Sequence, residues 1–402
     1  MRYKNFIKDF ALVLVGFVVA FALISFIPVP LPGGSVVLSG KQYDDFKEFM
    51  KLLQIKSILT QRYLTEVDPD TLYDGAFKGM AASLNDPYTV YMTEKEYQDF
   101  MTETTGNYAG IGLVVSADEN GNIRVVSPIK GSPAEAAGVK ASDIIIAVDD
   151  KPVSGKDLDA AVAMMKGPAG TMVKVTVTRE GVDQPISFNI KRDIIKLETV
   201  SYEKLEDDIG YIRLTMFDEH TDEDFSNAVK KLKSQNVKGI IIDLRDNPGG
   251  LLDVCVNIAD EILPKGTIVY TEDRNGKREY SYSDDRSLGL PLVVLVNGGS
   301  ASASEILSGA IKDNGAGTLV GTKTFGKGLV QTMYKFDDGS GLKYTIAKYY
   351  TPKGTDIQGK GIAPDIVVEL PKEVAQMTDI PRDKDTQLQK AIEVLKQKMG
   401  SR

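Results

Sequence analysis

The 402-residue chain contains one histidine, one cysteine and no tryptophan. A Ser-His-Asp mechanism needs an imidazole to take the proton of its nucleophile. It survives here only if His220, set among acids in MFDEHTDEDF, supplies that imidazole. A zinc site of common design draws several His or Cys ligands, and the chain offers one of each. No carboxylate run resembles a calcium loop, so neither metal nor cofactor is expected. Cys255 cannot make an intrachain disulfide, and within the apolar run LLDVCVNIADEIL it reads as a small buried hydrophobe. A basic surplus is missing too. With a formal net charge of -8, nucleic acid is excluded as a partner, because phosphate binding leans on Lys and Arg.

What is present begins with an uncharged run, FALVLVGFVVAFALISFIPV, over residues 10–29. Its length matches the roughly 20 residues a helix needs to cross a bilayer. Arg2, Lys4 and Lys8 precede it, which by the positive-inside rule keeps residues 1–9 in the cytoplasm and places the rest outside. Residues 10–30 are therefore expected to be a transmembrane anchor, or a cleaved signal segment, holding the protein at the cell membrane as a single-pass protein. Residues 41–103 repeat apolar side chains at helical spacing, as in DDFKEFMKLLQIKSILTQRYL. This helical region carries no polar cluster of catalytic kind and reads as scaffold or dimerisation surface.

From 104 to 192 the pattern changes to short β-branched runs such as IGLVVSA, IRVVSPI, DIIIAVDD and VKVTVTR, divided by turn signals and one helical piece, DLDAAVAMM. The ordered set GIGLVV, SPAEAAGVKASDIIIAVDDKPV and DLDAAVAMMKGPAGTMVKVTVTR resembles a circularly permuted bacterial PDZ domain. The resemblance implies a groove strand over residues 112–115 that accepts a peptide tail by strand addition, and backbone N–H groups of Ile111, Gly112 and Leu113 that capture its carboxylate.

Residues 193–370 alternate apolar strands with helices of similar length, the pattern of an α/β core covered on both faces. A charged helical region, 371–402, closes the chain. Within the core, the strand LPLVVLVN runs through Gly298 and Gly299 into SASASEILSGAI. A strand, a tight turn and a helix put a hydroxyl at a helix N-terminus, where unpaired N–H groups favour developing negative charge. Spacing alone does not choose among Ser300, Ser302 and Ser304, and Ser302 with Glu305 also spells a capping box.

The stretch NGGSASASEILSGAIKDNGAGTLVGTKTFGKGLVQT is similar to the catalytic segment of the carboxyl-terminal processing proteases, tail-specific serine peptidases with a Ser-Lys dyad. The likeness extends to DPYTVYM, IIIDLRDNPGGLL and YYTPKGTDIQGKGIAPD. It implies that Ser302 is the nucleophile, Lys327 its general base and Gln331 the residue that orients the lysine. The implied fold is an α/β peptidase core with an inserted strand-rich PDZ domain and helical N- and C-terminal regions, to which the uncharged run adds an N-terminal transmembrane helix. The implied activity is endoproteolysis of exported or membrane proteins with accessible C-termini, and the terminal helices are expected to pair as a homodimer.

Chemistry adds three expectations. A lysine near its usual pKa of about 10.4 is a poor base at neutral pH, so Lys327 needs a dry pocket, with Phe325 and Leu329 as candidate walls. The glycine turn after IIIDLRDNP could bring Gly249 or Gly250 beside Ala303 to form an oxyanion hole from backbone N–H groups. Asp243, Arg245 and Asp246 read as loop-fixing or salt-bridge residues.

Overall fold

The computed structural model describes residues 29–30, 36–37, 40–105, 107–375, 377 and 380–400. The chain divides into two compact units, Met1–Asn85 and Asp86–Arg402. In the first, helix α1 (Gly40–Arg62) precedes α2 (Pro69–Ala82). The second helix begins where Asp68 accepts from the Asp70 N–H and Pro69 takes the first turn, a start that satisfies one orphan donor and removes another. Helix α1 fully buries none of its residues and leaves Phe46, Phe49 and Ile58 exposed.

The expected transmembrane helix over residues 10–30 requires correction. Among the described residues no helix is long and apolar enough to cross a membrane. The last two residues of that span, Val29 and Pro30, are extended and pair antiparallel with Val37 and Val36. Pro30 fits that extended pairing, since it lacks an N–H and steers Val29 before it away from helical backbone. The single-pass anchor, the membrane as partner and the extracytoplasmic placement of the catalytic part were expected from that helix, and among the described residues no such helix is present to carry them. Residues 1–28 themselves lie outside the described residues.

The second unit opens with strand β1 (Val90–Met92) and helix α3 (Glu94–Thr105). A short antiparallel ladder, Asn107–Gly110 on Asp193–Lys196, then forms a neck through which the PDZ domain is inserted. That domain's sheet has the order β6-β5-β4-β3-β2, with β2 Leu113–Ala117, β3 Ile123–Pro128, β4 Ile144–Val148, β5 Met172–Thr178 and β6 Ile186–Lys191. Helices α4 (Pro133–Ala137) and α5 (Leu158–Met165) complete it. Its core is separate and small, built around Ile123, Val125, Ile145, Val148, Val173, Val175 and Val177.

The peptidase core is a six-stranded sheet in the order β7-β8-β9-β12-β13-β16. Its strands are β7 Val200–Lys204, β8 Ile209–Leu214, β9 Gly239–Asp243, β12 Leu292–Val296, β13 Thr318–Gly321 and β16 Ile366–Val367. All neighbours are parallel except β7 on β8. Side chains alternate between faces. Ile240 and Ile242 meet the layer of helices α6 (Thr221–Ser234), α7 (Leu252–Ile262) and α8 (Ala303–Asp313). Ile241, Val293 and Leu295 meet Leu388, Ala391 and Leu395 of helix α9 (Thr386–Gly400) on the other face. Burial on both faces explains why GIIID and LVVLV carry no alternation.

A second sheet, β11-β10-β15-β14, contains β10 Gly266–Asp273, β11 Arg278–Ser283, β14 Leu329–Lys335 and β15 Gly341–Tyr350. Strand β1 adds to β15, which brings the DPYTVYM segment to the loop between β13 and β14.

Candidate active site

Strand β12 ends at Val296, and the chain reaches Ser302 through a turn fixed at both ends. Asn297 N–H donates to Ser300 Oγ (3.0 Å), and Ser300 Oγ donates to the Leu244 carbonyl (2.7 Å). Ser304 Oγ donates to the Asn247 carbonyl (2.9 Å). Ser300 and Ser304 are thus fully buried structural bonds, whereas Ser302 between them is half-buried. Ser302 has φ 54° and ψ -113°. A non-glycine residue in such a backbone state costs about 1–3 kcal/mol and persists only where its surroundings impose it. The strand-turn-helix shape is that of a nucleophile elbow, reached without the usual glycines on either side of the serine.

Glu305 does more than cap a helix. It is fully buried, and its carboxylate accepts four hydrogen bonds. Oε2 takes the Ser302 N–H (3.0 Å) and the Lys327 N–H (2.8 Å). Oε1 takes the Gly326 N–H (2.7 Å) and the Thr324 hydroxyl (2.6 Å). One side chain therefore holds the Ser302 turn and the Lys327 loop side by side. A buried carboxylate with four donors is a costly group to leave unpaired, so both backbones are fixed by the same constraint. Sequence reading saw only the S-x-x-E spacing and missed this bridge.

Lys327 sits on the loop between β13 and β14 with its Nζ 4.8 Å from the centre of the Tyr88 ring. Tyr88, not the 60% exposed Phe325, covers it. Burial holds the ammonium below its ordinary pKa, and nearby Lys343 lowers it further, while Asp86 and Glu305 oppose the shift. Asp86 in turn accepts from the Tyr88 N–H (3.0 Å), Thr89 Oγ1 (2.7 Å) and Thr345 Oγ1 (2.6 Å), which clamps the DPYT segment onto β15. Gln331 stands on β14, but its amide donates to the Leu329 carbonyl (3.1 Å).

Gly249, at φ 102°, lies directly beneath the turn; a Cβ there would come within 2.8 Å of the Ala301 carbonyl and Ser302 Cβ and 2.9 Å of the Ala303 nitrogen. Its own N–H is taken by Asn247 Oδ1 (2.9 Å). The N–H groups of Gly250 and Ala303 find no acceptor among the described residues. Cys255, fully buried, gives its thiol to the Ala303 carbonyl (3.1 Å) and so supports α8 from below. Arg245 is a structural hub, bonded to Asp243, Asp385 and Gln387. His220 stands at the N-terminal cap of α6.

In the PDZ domain the Ile111 carbonyl accepts from the Ala134 N–H (2.9 Å), and the Gly112 carbonyl accepts from the Ile129 N–H (3.0 Å) and Ser132 Oγ (3.0 Å). A trans peptide points its N–H opposite its C=O. The N–H groups of Gly112 and Leu113 are therefore turned away from the domain, toward a cavity of about 130 Å³ bounded by Ile111, Leu113, Val115, Val162 and Met165. Gly112 has φ 76°, and a side chain there would collide with Ser132.

An α/β core that presents a serine on a strained turn, joined through a narrow neck to a PDZ domain, is the build of a tail-processing serine peptidase. Comparison with known proteins agrees. Residues 208–368 match peptidase family S41, residues 124–179 match the PDZ domain, and residues 35–96 match the N-terminal domain of the activating protease CtpB. A carboxy-terminal-processing protease of Bartonella bacilliformis is 43% identical over 83% of this chain and 78% of its own length. The carboxy-terminal processing protease CtpA of Bacillus subtilis is 41% identical over 95% of this chain and 81% of its own. A solved structure from Bacteroides fragilis assigned to the S41 proteases shares the fold with a TM-score of 0.50 at 16% identity, over 86% of this chain and 97% of that one. The chain belongs to the carboxyl-terminal processing proteases of family S41. It is a serine endopeptidase that recognises C-terminal tails through its PDZ domain.

Proposed function

We propose that Ser302 is the nucleophile and Lys327 the general base. The single observation that carries this assignment is the Glu305 carboxylate, which binds the N–H groups of both residues through one oxygen. A neutral Lys327 takes the proton of Ser302 Oγ as it attacks the scissile carbonyl, then returns it to the leaving amine. The same lysine activates the water that hydrolyses the acyl-enzyme. Its lowered pKa supports the role, since a base must be unprotonated to act.

The oxyanion is assigned to the Ala303 N–H with that of Gly250. Gly249 joins only when Asn247 releases its amide. Gln331 acts by positioning, and its side chain has to turn from the Leu329 carbonyl to reach Lys327. The substrate tail adds a strand beside β2, with its carboxylate on the N–H groups of Ile111, Gly112 and Leu113. The small apolar cavity suits a terminal residue of alanine or valine size.

Cleavage of an unstructured polypeptide by the intact chain, beside Ser302→Ala and Lys327→Ala, tests the dyad. Loss of turnover in both variants with unchanged melting is expected; a Ser302→Ala protein that still cuts would overturn the assignment. Tail recognition is tested separately with peptides that differ only in C-terminal amidation, where equal binding of the two forms would sink it.

A further inference from the structure

A cavity of about 570 Å³ lies on the opposite face of the core sheet from helices α6, α7 and α8, against the C-terminal ends of β8, β9 and β12. In open α/β sheets the crevice beyond the strand C-termini is where ligands bind, and this volume falls in the range of small-molecule sites. The cavity is bounded by Tyr211, Arg213, Asp246, Leu370, Pro381 and Leu388, with Arg245 in its floor.

The charges around it divide unevenly. In the floor, Arg245 is saturated by Asp243 and Asp385, and the Tyr211 hydroxyl donates to Asp243 Oδ2 (2.7 Å). At the rim, Arg382 pairs with Glu203. Two charged groups are left over. The Arg213 side chain is half-buried and makes no hydrogen bond or salt bridge among the described residues, and Asp246 is in no salt bridge there. Asp246 is held at φ 59°. Its N–H donates to Asn297 Oδ1 (2.9 Å) and its Oδ1 accepts from Asn297 Nδ2 (2.9 Å). A half-buried arginine without a counter-ion among the described residues, an acid and the apolar side chains of Leu370, Pro381 and Leu388 line one cavity, which matches a ligand that carries both charges and an apolar side chain.

We propose that this cavity binds a short zwitterionic peptide, its carboxylate on Arg213, its ammonium on Asp246 and its apolar side chain against Leu370, Pro381 and Leu388. The site is separate from both the Ser302 turn and the PDZ groove, and its existence does not depend on the roles assigned to Ser302 and Lys327. It does communicate with the turn in structure, because Asn297 Oδ1 also accepts from the Gly299 N–H (3.0 Å) on the path to Ser302.

The test is calorimetric titration of the intact chain, carrying Ser302→Ala to prevent turnover, with L-leucyl-L-leucine, its C-terminal amide and its N-acetyl form. Saturable binding of the free dipeptide is expected. Loss of about tenfold or more is expected with the amide or with Arg213→Gln, as for a removed charge-assisted hydrogen bond, and a smaller loss with the acetylated form or Asp246→Asn. Arg213→Lys should keep part of the affinity, which separates lost charge from lost folding. Val162→Asp, which spoils the PDZ groove, should leave the binding unchanged. Absence of saturable binding overturns the proposal. So does binding that survives Arg213→Gln and disappears with Val162→Asp, because the dipeptide would then sit in the PDZ groove.

Discussion

The PDZ groove and the Ser302 turn solve the same physical problem by different means. Each must hold backbone N–H groups free and aimed at a negatively charged oxygen. In the groove the constraint is local: the carbonyls of Ile111 and Gly112 are tied to Ala134, Ile129 and Ser132, all within one small domain. At the turn it is distant, since Glu305 reaches across to residues 324–327, and Gly249 closes in from the end of another strand. On the proposed assignment, recognition therefore rests on a motif held within one domain, while catalysis rests on the assembly of three separate loops. Damage to the first should weaken binding alone; damage to the second should abolish chemistry and loosen the fold together.

The hardest test of that contrast is Glu305→Ala. It leaves four donors without this acceptor, two of them buried and worth about 1–3 kcal/mol each, so loss of all measurable cleavage and a clearly lower melting temperature are expected. Tail-peptide affinity, read by fluorescence polarisation, should stay within about twofold, because the PDZ core is separate. A variant that keeps full activity would show that Glu305 caps its helix and nothing more.

Gly112→Ala is the mirror experiment. The strained φ and the clash with Ser132 should cost about 1–3 kcal/mol, or roughly 10–100-fold in tail affinity. The effect should appear in KM for tailed substrates, with kcat on a short untailed peptide retained. Equal losses for tailed and untailed substrates would mean that groove and turn are not independent.

The smallest expected effect is a shift in pH profile. Activity should rise with pH as Lys327 loses its proton, along a limb that lies below the ordinary lysine value because burial disfavours the charge. Lys343 adds a like charge that lowers this pKa. Removing it in Lys343→Met makes the Lys327 ammonium easier to keep, so the limb should move to higher pH and activity at neutral pH should fall. Movement in the opposite direction, measured as kcat/KM against pH, would mean that another group sets the limb.

Much of this was legible in order along the chain. Apolar runs over 239–243 and 292–296 announced strands buried on both faces, and the glycine-bracketed SASASE announced a strand-to-helix turn. The PDZ segments were legible because their partners are near in sequence. The membrane helix expected from hydropathy has no counterpart among the described residues, where the end of the run, Val29 and Pro30, is extended. Tyr88 over Lys327 was not legible, because the two are brought together by β1 joining β15, a pairing that no local pattern announces.

By itself the sequence narrowed the chemistry: with one histidine and one cysteine, a serine or threonine served by lysine, or a paired-carboxylate site, was left, and the family resemblance then pointed to Ser302 and Lys327. Periodicity determined the α/β core, and motif order determined the family. Only the tertiary structure decided that Ser300 and Ser304 spend their hydroxyls on the scaffold, that Glu305 joins two loops, and that Tyr88 and Lys343 surround the lysine. The physical reason is that hydrogen-bond satisfaction and desolvation are properties of what surrounds a group in space, and those neighbours come from strands far apart in the chain.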